Sequence, residues 1–177
     1  MISFVIFSWE ALISEDLNIW NLIFRLLLGF IIGVIIGARQ EKRGRPAGLR
    51  TYIIISVGST MLMILSIYIA QIANVGDPGR IAAQVVSGIG FLGAGAIIKS
   101  GVNIAGMTTA ASIWTTAALG LCAGSGLIIL AGLGTIVVIS TLSFVRKIEK
   151  RAFKSKKNLT KLIISFRDIN IKSVFQN

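Results

Sequence analysis

The chain has 177 residues, of which 54% are hydrophobic, and its mean hydropathy is +0.83. A soluble domain of this length could not bury so much apolar surface in one core, so the composition indicates an all-α integral membrane protein. The net charge is +11, but the basic residues cluster beside apolar runs, which argues against a nucleic-acid partner. With no histidine and a single cysteine, Cys122, the chain is predicted to have no metal site, no cofactor and no catalytic residues.

Five apolar runs are each about long enough to cross a hydrocarbon core of about 30 Å as a helix. They cover residues 17–38, 48–72, 79–98, 102–123 and 125–145. Basic residues follow the first run and the last run, and such residues favour the cytoplasmic side of a membrane. We therefore predict five transmembrane helices in the lipid bilayer, with the N-terminus outside and the C-terminus cytoplasmic.

This pattern divides the chain into an interfacial N-terminal segment at 1–16, a five-helix transmembrane domain at 17–145 and a basic cytoplasmic tail at 146–177. The opening segment lacks the basic region and the small-residue cleavage site of a signal peptide, so we expect it to be retained. An unstructured N-terminal segment is the alternative. The tail alternates like one strand, which cannot form a stable sheet by itself and indicates the remnant of a soluble domain or pairing in an oligomer.

Glycines recur in two of the runs. Gly29, Gly33 and Gly37 stand four residues apart and therefore lie near one helix face. In lipid such a face favours close packing of backbones, either against another helix of the same chain or against a second copy in a homodimer. The third run crowds four glycines into eight residues, which predicts tight packing or a helix broken at a cavity. These four are Gly88, Gly90, Gly93 and Gly95.

Charged residues within the apolar runs are candidates for function, because a charge in lipid carries a high free-energy cost. Arg25 lies about one turn into the first run, and we predict that it pairs with Asp77, with Arg80 competing for the same carboxylate. Asp77 followed by Pro78 is also typical of a plain helix N-cap, which is the structural alternative. Gln84 lies one turn beyond Arg80, where its amide either joins a polar network or links two helices.

Arg50 and Thr51 begin the second run, where the guanidinium can reach a phosphate headgroup or a carbonyl at a helix C-terminus. The fourth run carries hydroxyls along a small-residue helix that also contains Trp114. The hydroxyl residues are Thr108, Thr109, Ser112, Thr115 and Thr116, and three of them, Thr108, Ser112 and Thr115, fall near one stripe. Hydroxyls in lipid usually bond to their own helix or to a neighbour, and ion coordination is the alternative.

Three strings of the sequence carry a family resemblance: RGRPAGLRT, DPGRIAAQVVSGIGFLGAGAIIKSG and GMTTAASIWTTAALGL. Each combines charged or hydroxyl residues with glycines, a mixture that membrane helices normally avoid. Together they resemble the MgtC/SapB family of bacterial cytoplasmic-membrane proteins, over the stretch from Arg25 to about Gly126. The chain departs from the family pattern at Arg39 and Gln40, where members usually carry an acidic-basic pair. It also departs at the C-terminus, where many members continue into a soluble ligand-binding domain.

The resemblance implies a multi-pass, non-enzymatic protein of the bacterial inner membrane that acts in adaptation to low magnesium, in acid stress and in virulence. It also implies binding and inhibition of the F-type ATP synthase. The candidate functional residues at its motif positions are Arg25, Arg50, Thr51, Asp77, Arg80, Gln84, Thr108, Thr109 and Trp114. The alternative is a magnesium or other cation transporter. Mg²⁺ usually takes one or two carboxylates, and the membrane region offers only Asp77, near one edge.

Overall fold

The computed structural model describes residues 18–73, 77–100 and 103–145. Within them lie five α-helices: α1 (Ile19–Glu41), α2 (Leu49–Ala73), α3 (Arg80–Gly95), α4 (Met107–Gly124) and α5 (Ile128–Ser140). An antiparallel hairpin of β1 (Ile98–Ser100) and β2 (Asn103–Ala105) connects α3 to α4, and a π-helical turn at Thr141–Val145 follows α5. The interfacial segment predicted at 1–16 and the tail predicted at 146–177 lie outside the described residues.

The chain divides into two compact units, Met1–Val138 and Ile139–Asn177. The first unit contains α1 to α4 and most of α5. In the second unit, the described residues are the last two of α5 and the π-helical turn. All the candidate site residues lie in the first unit.

The glycine face of α1 packs against α2 of the same chain. A methyl group on Gly33 would stand 2.6 Å from Cα of Ile53, and one on Gly37 would stand 2.9 Å from the α2 backbone. A methyl group on Gly29 would collide with Oγ1 of Thr60. All these neighbours belong to α2. The two helices therefore lie so close together that a side chain at these glycine positions would force them apart.

Glycines from α4 also pack against α2, on a neighbouring face that shares Thr60 with the α1 contact. A methyl group on Gly120 would stand 2.5 Å from the carbonyl oxygen of Ser56, and one on Gly124 would stand 2.6 Å from that of Thr60. Thr60 Oγ1 donates a hydrogen bond to the carbonyl oxygen of Gly120 at 2.9 Å, which fastens the two helices at this level. The helices α1, α2 and α4 therefore form a core in which backbones are in direct contact.

The α3 glycines differ from those of α1 and α4. A methyl group on Gly88, Gly90 or Gly95 would meet nothing within 4 Å, whereas one on Gly93 would lie 3.5 Å from the carbonyl oxygen of Ala110. Of the four glycines in the third run, Gly93 alone has a neighbour this near among the described residues, and its contact is an ordinary van der Waals one. The other three glycines leave a helix surface without a close neighbour among the described residues.

The third and fourth helices are shorter than the apolar runs predicted. The run 79–98 ends as a helix at Gly95, and the run predicted from residue 102 begins as a helix at Met107. Between them, Gly106 has a φ of 93° and lies so close to the carbonyl oxygen of Ala96 that no side chain would fit. The predicted runs therefore extended too far towards each other, because Ile98 and Ile104 of the hairpin are apolar like the helices around them.

Two helices of the described chain, α1 with 23 residues and α2 with 25, are long and apolar enough to cross a membrane. The helix α3 has 16 residues, fewer than the roughly 20 that a span usually needs. The architecture is therefore mainly α-helical, as predicted. Five crossings and the orientation of the termini stay predictions.

Candidate functional site

Arg25 is a buried charge that joins α1 to the end of α4. Its side chain is only 1% exposed. The guanidinium donates from Nε to Oδ1 of Asn21 at 3.0 Å and from NH1 to the carbonyl oxygen of Gly124 at 2.8 Å. Gly124 is the last residue of α4, so the cation also faces the negative end of the helix dipole. These contacts give Arg25 a structural role between two helices.

The loop between α4 and α5 leaves room for this guanidinium. Gly126 has a φ of 82°, a backbone conformation that favours glycine. A methyl group at this position would stand 3.0 Å from the NH2 atom of Arg25. The backbone conformation therefore favours glycine beside the buried arginine, and any side chain here would press on the guanidinium.

Asp77 lies in the turn just before α3, whose N-cap residue is Gly79 and not Asp77. Its Oδ1 accepts a hydrogen bond from the backbone N–H of Gly79 at 2.7 Å, and its carbonyl oxygen accepts one from the N–H of Arg80 at 3.2 Å. Ser66 of α2 donates to the carbonyl oxygen of Pro78 at 2.5 Å, which anchors this turn to α2. The predicted pairing of Asp77 with Arg25 or Arg80 stays a prediction.

A cleft between α2 and the start of α3 brings three of the predicted residues together. It has a volume of about 310 Å³, and we call it the Asp77 cleft; its lining comprises Ser66, Ile69, Ala70, Asp77, Arg80, Ile81 and Gln84. The one carboxylate shares the cleft with a guanidinium, which opposes the binding of a cation. Among the described residues, no three His, Cys, Asp or Glu side chains lie close enough together to hold a metal ion.

A second polar cluster lies at the other end of α1, and we call it the Gln40 cluster: Gln40, Tyr52, Thr109 and Ser112. Gln40 is fully buried, and its Nε2 donates to Oγ of Ser112 at 2.6 Å and to the hydroxyl of Tyr52 at 3.2 Å. The Tyr52 hydroxyl lies 2.5 Å from Oγ of Ser112. Ser112 Oγ also bonds to the carbonyl oxygen of Thr109 at 2.9 Å. The cluster therefore links α1, α2 and α4 through neutral groups.

The hydroxyls of α4 do not share one environment. Thr108 is exposed, whereas Thr109, Ser112 and Thr116 are buried. Thr116 Oγ1 donates to the carbonyl oxygen of Ser112 at 2.7 Å, and Thr115 Oγ1 donates to that of Ala111 at 2.8 Å. These bonds stay within α4, as expected for hydroxyls in apolar surroundings. The predicted stripe of Thr108, Ser112 and Thr115 thus faces several directions, and Trp114, 46% exposed, points away from the core.

Arg50 and Thr51 lie elsewhere, at the start of α2. Both are exposed and line a cavity of about 430 Å³ between α2, α3 and α4, together with Leu92, Gly95 and Ile113 among others. The cavity opens beside the C-terminal end of α3, where carbonyl groups carry partial negative charge. The contact of Arg50 with a phosphate headgroup or a helix carbonyl stays a prediction.

Sequence reasoning missed several residues that hold these sites together. Asn21 lies four residues before Arg25, a helical spacing that could have identified it as a partner. Tyr52 carries a hydroxyl in an otherwise apolar run, which was a usable signal. Glu41 caps α2, because its Oε2 accepts a hydrogen bond from the Leu49 N–H at 2.7 Å. The two residues are too far apart in sequence for a local capping motif to predict this bond.

Comparison with known proteins identifies the family. A family model described as the MgtC family matches residues 26–151. The chain belongs to the MgtC family. The resemblance predicted from the three sequence strings is thereby confirmed. Membership, together with the two long apolar helices, supports a membrane protein.

Several relatives align with much of the chain. "Putative magnesium transporter YhiD" of Escherichia coli (strain K12) is 38% identical over 159 residues, which cover 87% of this chain and 74% of YhiD. Protein MgtC of Brucella abortus (strain 2308) is 42% identical over 117 residues, 66% of this chain and 48% of that protein. Protein MgtC of Salmonella typhimurium (strain LT2) is 37% identical over 138 residues, 78% of this chain and 58% of that protein.

The chain thus spans about half the length of the two MgtC proteins that it matches. No solved structure matches the chain.

Proposed function

We propose that this MgtC-family chain is a non-enzymatic regulatory protein of the bacterial inner membrane. It crosses the bilayer five times, with the N-terminus outside and the C-terminus in the cytoplasm. It acts in adaptation to low magnesium and acid stress by binding and inhibiting the F-type ATP synthase. The partner comes from the family resemblance of the sequence motifs, and the mode of action comes from the packing of the helices.

The observation that supports a regulatory role is the backbone contact among α1, α2 and α4. Gly33 and Gly37 of α1 lie against α2, and so do Gly120 and Gly124 of α4. Helices packed this closely leave little space for hydrated ions between them. A rigid core of this kind suits a protein that presents its outer helix faces to a neighbour.

The polar groups of the core also favour this proposal. Arg25 binds a side-chain amide and a helix-end carbonyl, and the Gln40 cluster binds neutral groups on three helices. Both sets of bonds hold helices together. A transport path would instead need polar atoms that face a water-filled route.

The topology rests on the distribution of charge. Five basic residues lie between the last turn of α1 and the first turn of α2, on the side that we assign to the cytoplasm: Arg39, Lys42, Arg43, Arg45 and Arg50. Asp77 and Arg80 lie at the other end of α2, where α3 begins. Their opposite charges give this connection no net charge. This asymmetry is the usual signature of a cytoplasmic first loop.

The experiment that tests the regulatory proposal is ATP-driven proton pumping in inverted membrane vesicles. We expect vesicles that contain the chain to pump more slowly than vesicles without it, and we expect ATP synthase subunits to co-purify with a tagged chain. A Gly33→Leu variant, whose core cannot close, serves as the inactive control. Unchanged pumping and no co-purification would contradict the proposal.

A second candidate function is magnesium transport, because the E. coli relative YhiD is named for it and the Asp77 cleft holds an exposed carboxylate. The test is to express the chain in a bacterial strain that lacks magnesium uptake and to measure whether it restores growth at low magnesium. The variants Asp77→Asn and Glu41→Gln each lose one negative charge and keep an acceptor for the capped backbone N–H. Transport through the cleft predicts that only Asp77→Asn abolishes rescue, whereas the regulatory proposal predicts no rescue by any form.

A further inference from the structure

One face of α3 is exposed along its whole length and has the spacing of a helix-packing seam. Gln84, Gly88, Phe91 and Gly95 follow one another at intervals of four, three and four residues, so they share one side of the helix. All four are exposed, and Phe91 is 83% exposed. Methyl groups on Gly88 or Gly95 would meet nothing within 4 Å, so a shallow depression lies on each side of the phenyl ring.

The same face carries polar groups that lipid tails cannot satisfy. The exposed amide of Gln84 has both donors and an acceptor, and hydrocarbon offers no partner to either. Asp77 and Arg80, of opposite charge, are exposed within one turn of each other at the start of the helix. A surface that displays both a positive and a negative charge, and an amide that both donates and accepts hydrogen bonds, can be complementary to a copy of itself.

We propose that a second copy of this chain covers the α3 seam, defined by Gln84, Gly88, Phe91 and Gly95, in a parallel two-fold dimer. In this dimer, the Phe91 ring of each protomer lies in the depression beside Gly88 and Gly95 of the other. The two Gln84 amides hydrogen-bond to each other, and Asp77 of each protomer faces Arg80 of the other. A two-fold axis places the same patch on both sides of an interface, which this surface satisfies.

This inference rests on the placement of α3 in the membrane that we propose above, and it goes beyond the regulatory function. The alternatives for the seam are lipid and an unrelated protein. Lipid would leave the Gln84 amide without hydrogen-bond partners. An unrelated protein would have no reason to match the aromatic ring, the two depressions and the paired charges that this one helix displays together.

The test compares two glycines of α3 that share the same exposure and the same lack of close neighbours but lie on different sides of the helix. Gly88 and Gly90 are both exposed, and a methyl group on either meets nothing within 4 Å, so a substituted side chain starts in open space within the protomer. At about 100° per residue, Gly90 lies roughly 200° around the helix from Gly88, away from the seam. We expect wild type and Gly90→Leu to dimerise equally in vesicles, measured by energy transfer between labelled copies. Gly88→Leu should weaken dimerisation on the order of tenfold.

Equal dimerisation of the two variants would overturn the proposal, as would a wild-type chain that is monomeric at every density. Oxidative cross-linking gives a second readout in a Cys122→Ala background. Gly95→Cys should form a disulfide-linked dimer, and Gly90→Cys should not. Cross-linking at neither position, as expected for a seam covered by lipid or by another protein, would contradict the dimer. Proton pumping is measured separately, so loss of the dimer and failure of ATP synthase inhibition are distinguishable.

Discussion

The glycines of α1 and α4 and the glycines of α3 occupy opposite environments in the same chain. Gly33 and Gly120 stand where a single methyl group would come within 2.6 Å of backbone atoms of α2. Gly88, Gly90 and Gly95 stand where a methyl group would meet nothing within 4 Å. These helices are all rich in glycine, which predicts close packing for each, but only the first set of glycines packs tightly within the chain.

The comparison shows what glycine does in each region. In α1 and α4, it permits close contact between backbones, which is a main source of attraction between helices in lipid. In α3, it lowers helix stability by up to about 1 kcal/mol per residue relative to alanine and gains no contact within the protomer. That cost is compensated only if another surface occupies the face, which is the reason for assigning a partner to α3.

The largest expected effect comes from substituting a core glycine. Gly33→Ala places a methyl group 2.6 Å from Cα of Ile53, so α1 and α2 must separate, and we expect a loss of stability of about 1–3 kcal/mol or more. The measurement is unfolding of the purified protein by a denaturing detergent. Gly90→Ala is the matched control, and we expect it to be neutral or slightly stabilising. Equal effects of the two changes would break the comparison.

A smaller loss is expected at the buried arginine. Arg25→Met keeps an unbranched side chain but leaves Asn21 Oδ1 and the carbonyl oxygen of Gly124 without their donor, so we expect a cost of about 1–3 kcal/mol. Arg50→Met, at an exposed site, should change stability by less than about 0.5 kcal/mol. Both are measured by the same unfolding assay. A stability for Arg25→Met equal to that of Arg50→Met would show that Arg25 does not hold α1 to α4.

The smallest of the three effects is expected in the Gln40 cluster. Tyr52→Phe removes a buried hydroxyl that binds Gln40 and Ser112, while those two residues keep their own hydrogen bond, so we expect a loss of about 1 kcal/mol. Tyr68→Phe, at a half-exposed position on the same helix, is the control and should be close to neutral. A stability gain in Tyr52→Phe would indicate that the cluster is a functional site held at a cost in stability.

Much of the fold could be predicted from sequence periodicity. The apolar runs placed α1 and α2 within a few residues of their observed ends, because long apolar segments bounded by charges and turn residues give a strong signal. The four-residue spacing of Gly29, Gly33 and Gly37 identified the face that packs. The turn at Asp77 and Pro78 was also accessible, since Asp-Pro is a local signal, but the helix begins two residues after Pro78, with Gly79 as its N-cap.

The remaining features depend on contacts between distant residues. The Gln40 cluster joins positions 12 to 72 residues apart, and no local pattern marks residues that meet only after folding. The hairpin between α3 and α4 was hidden because Ile98 and Ile104 are as apolar as the helices beside them. The sequence could not show that the face of α3 is open and that the face of α1 is packed. Glycines in a helix do not reveal from their positions alone whether a neighbouring helix lies against them.

The central claim is that this protein acts through contacts with a neighbouring protein rather than by conducting magnesium. Its most direct test is magnesium uptake into liposomes that contain the purified chain and an internal magnesium-sensitive dye. We predict the same uptake rate as in protein-free liposomes. Saturable uptake that is lost in Asp77→Asn and retained in Glu41→Gln would contradict the claim and assign the Asp77 cleft to transport.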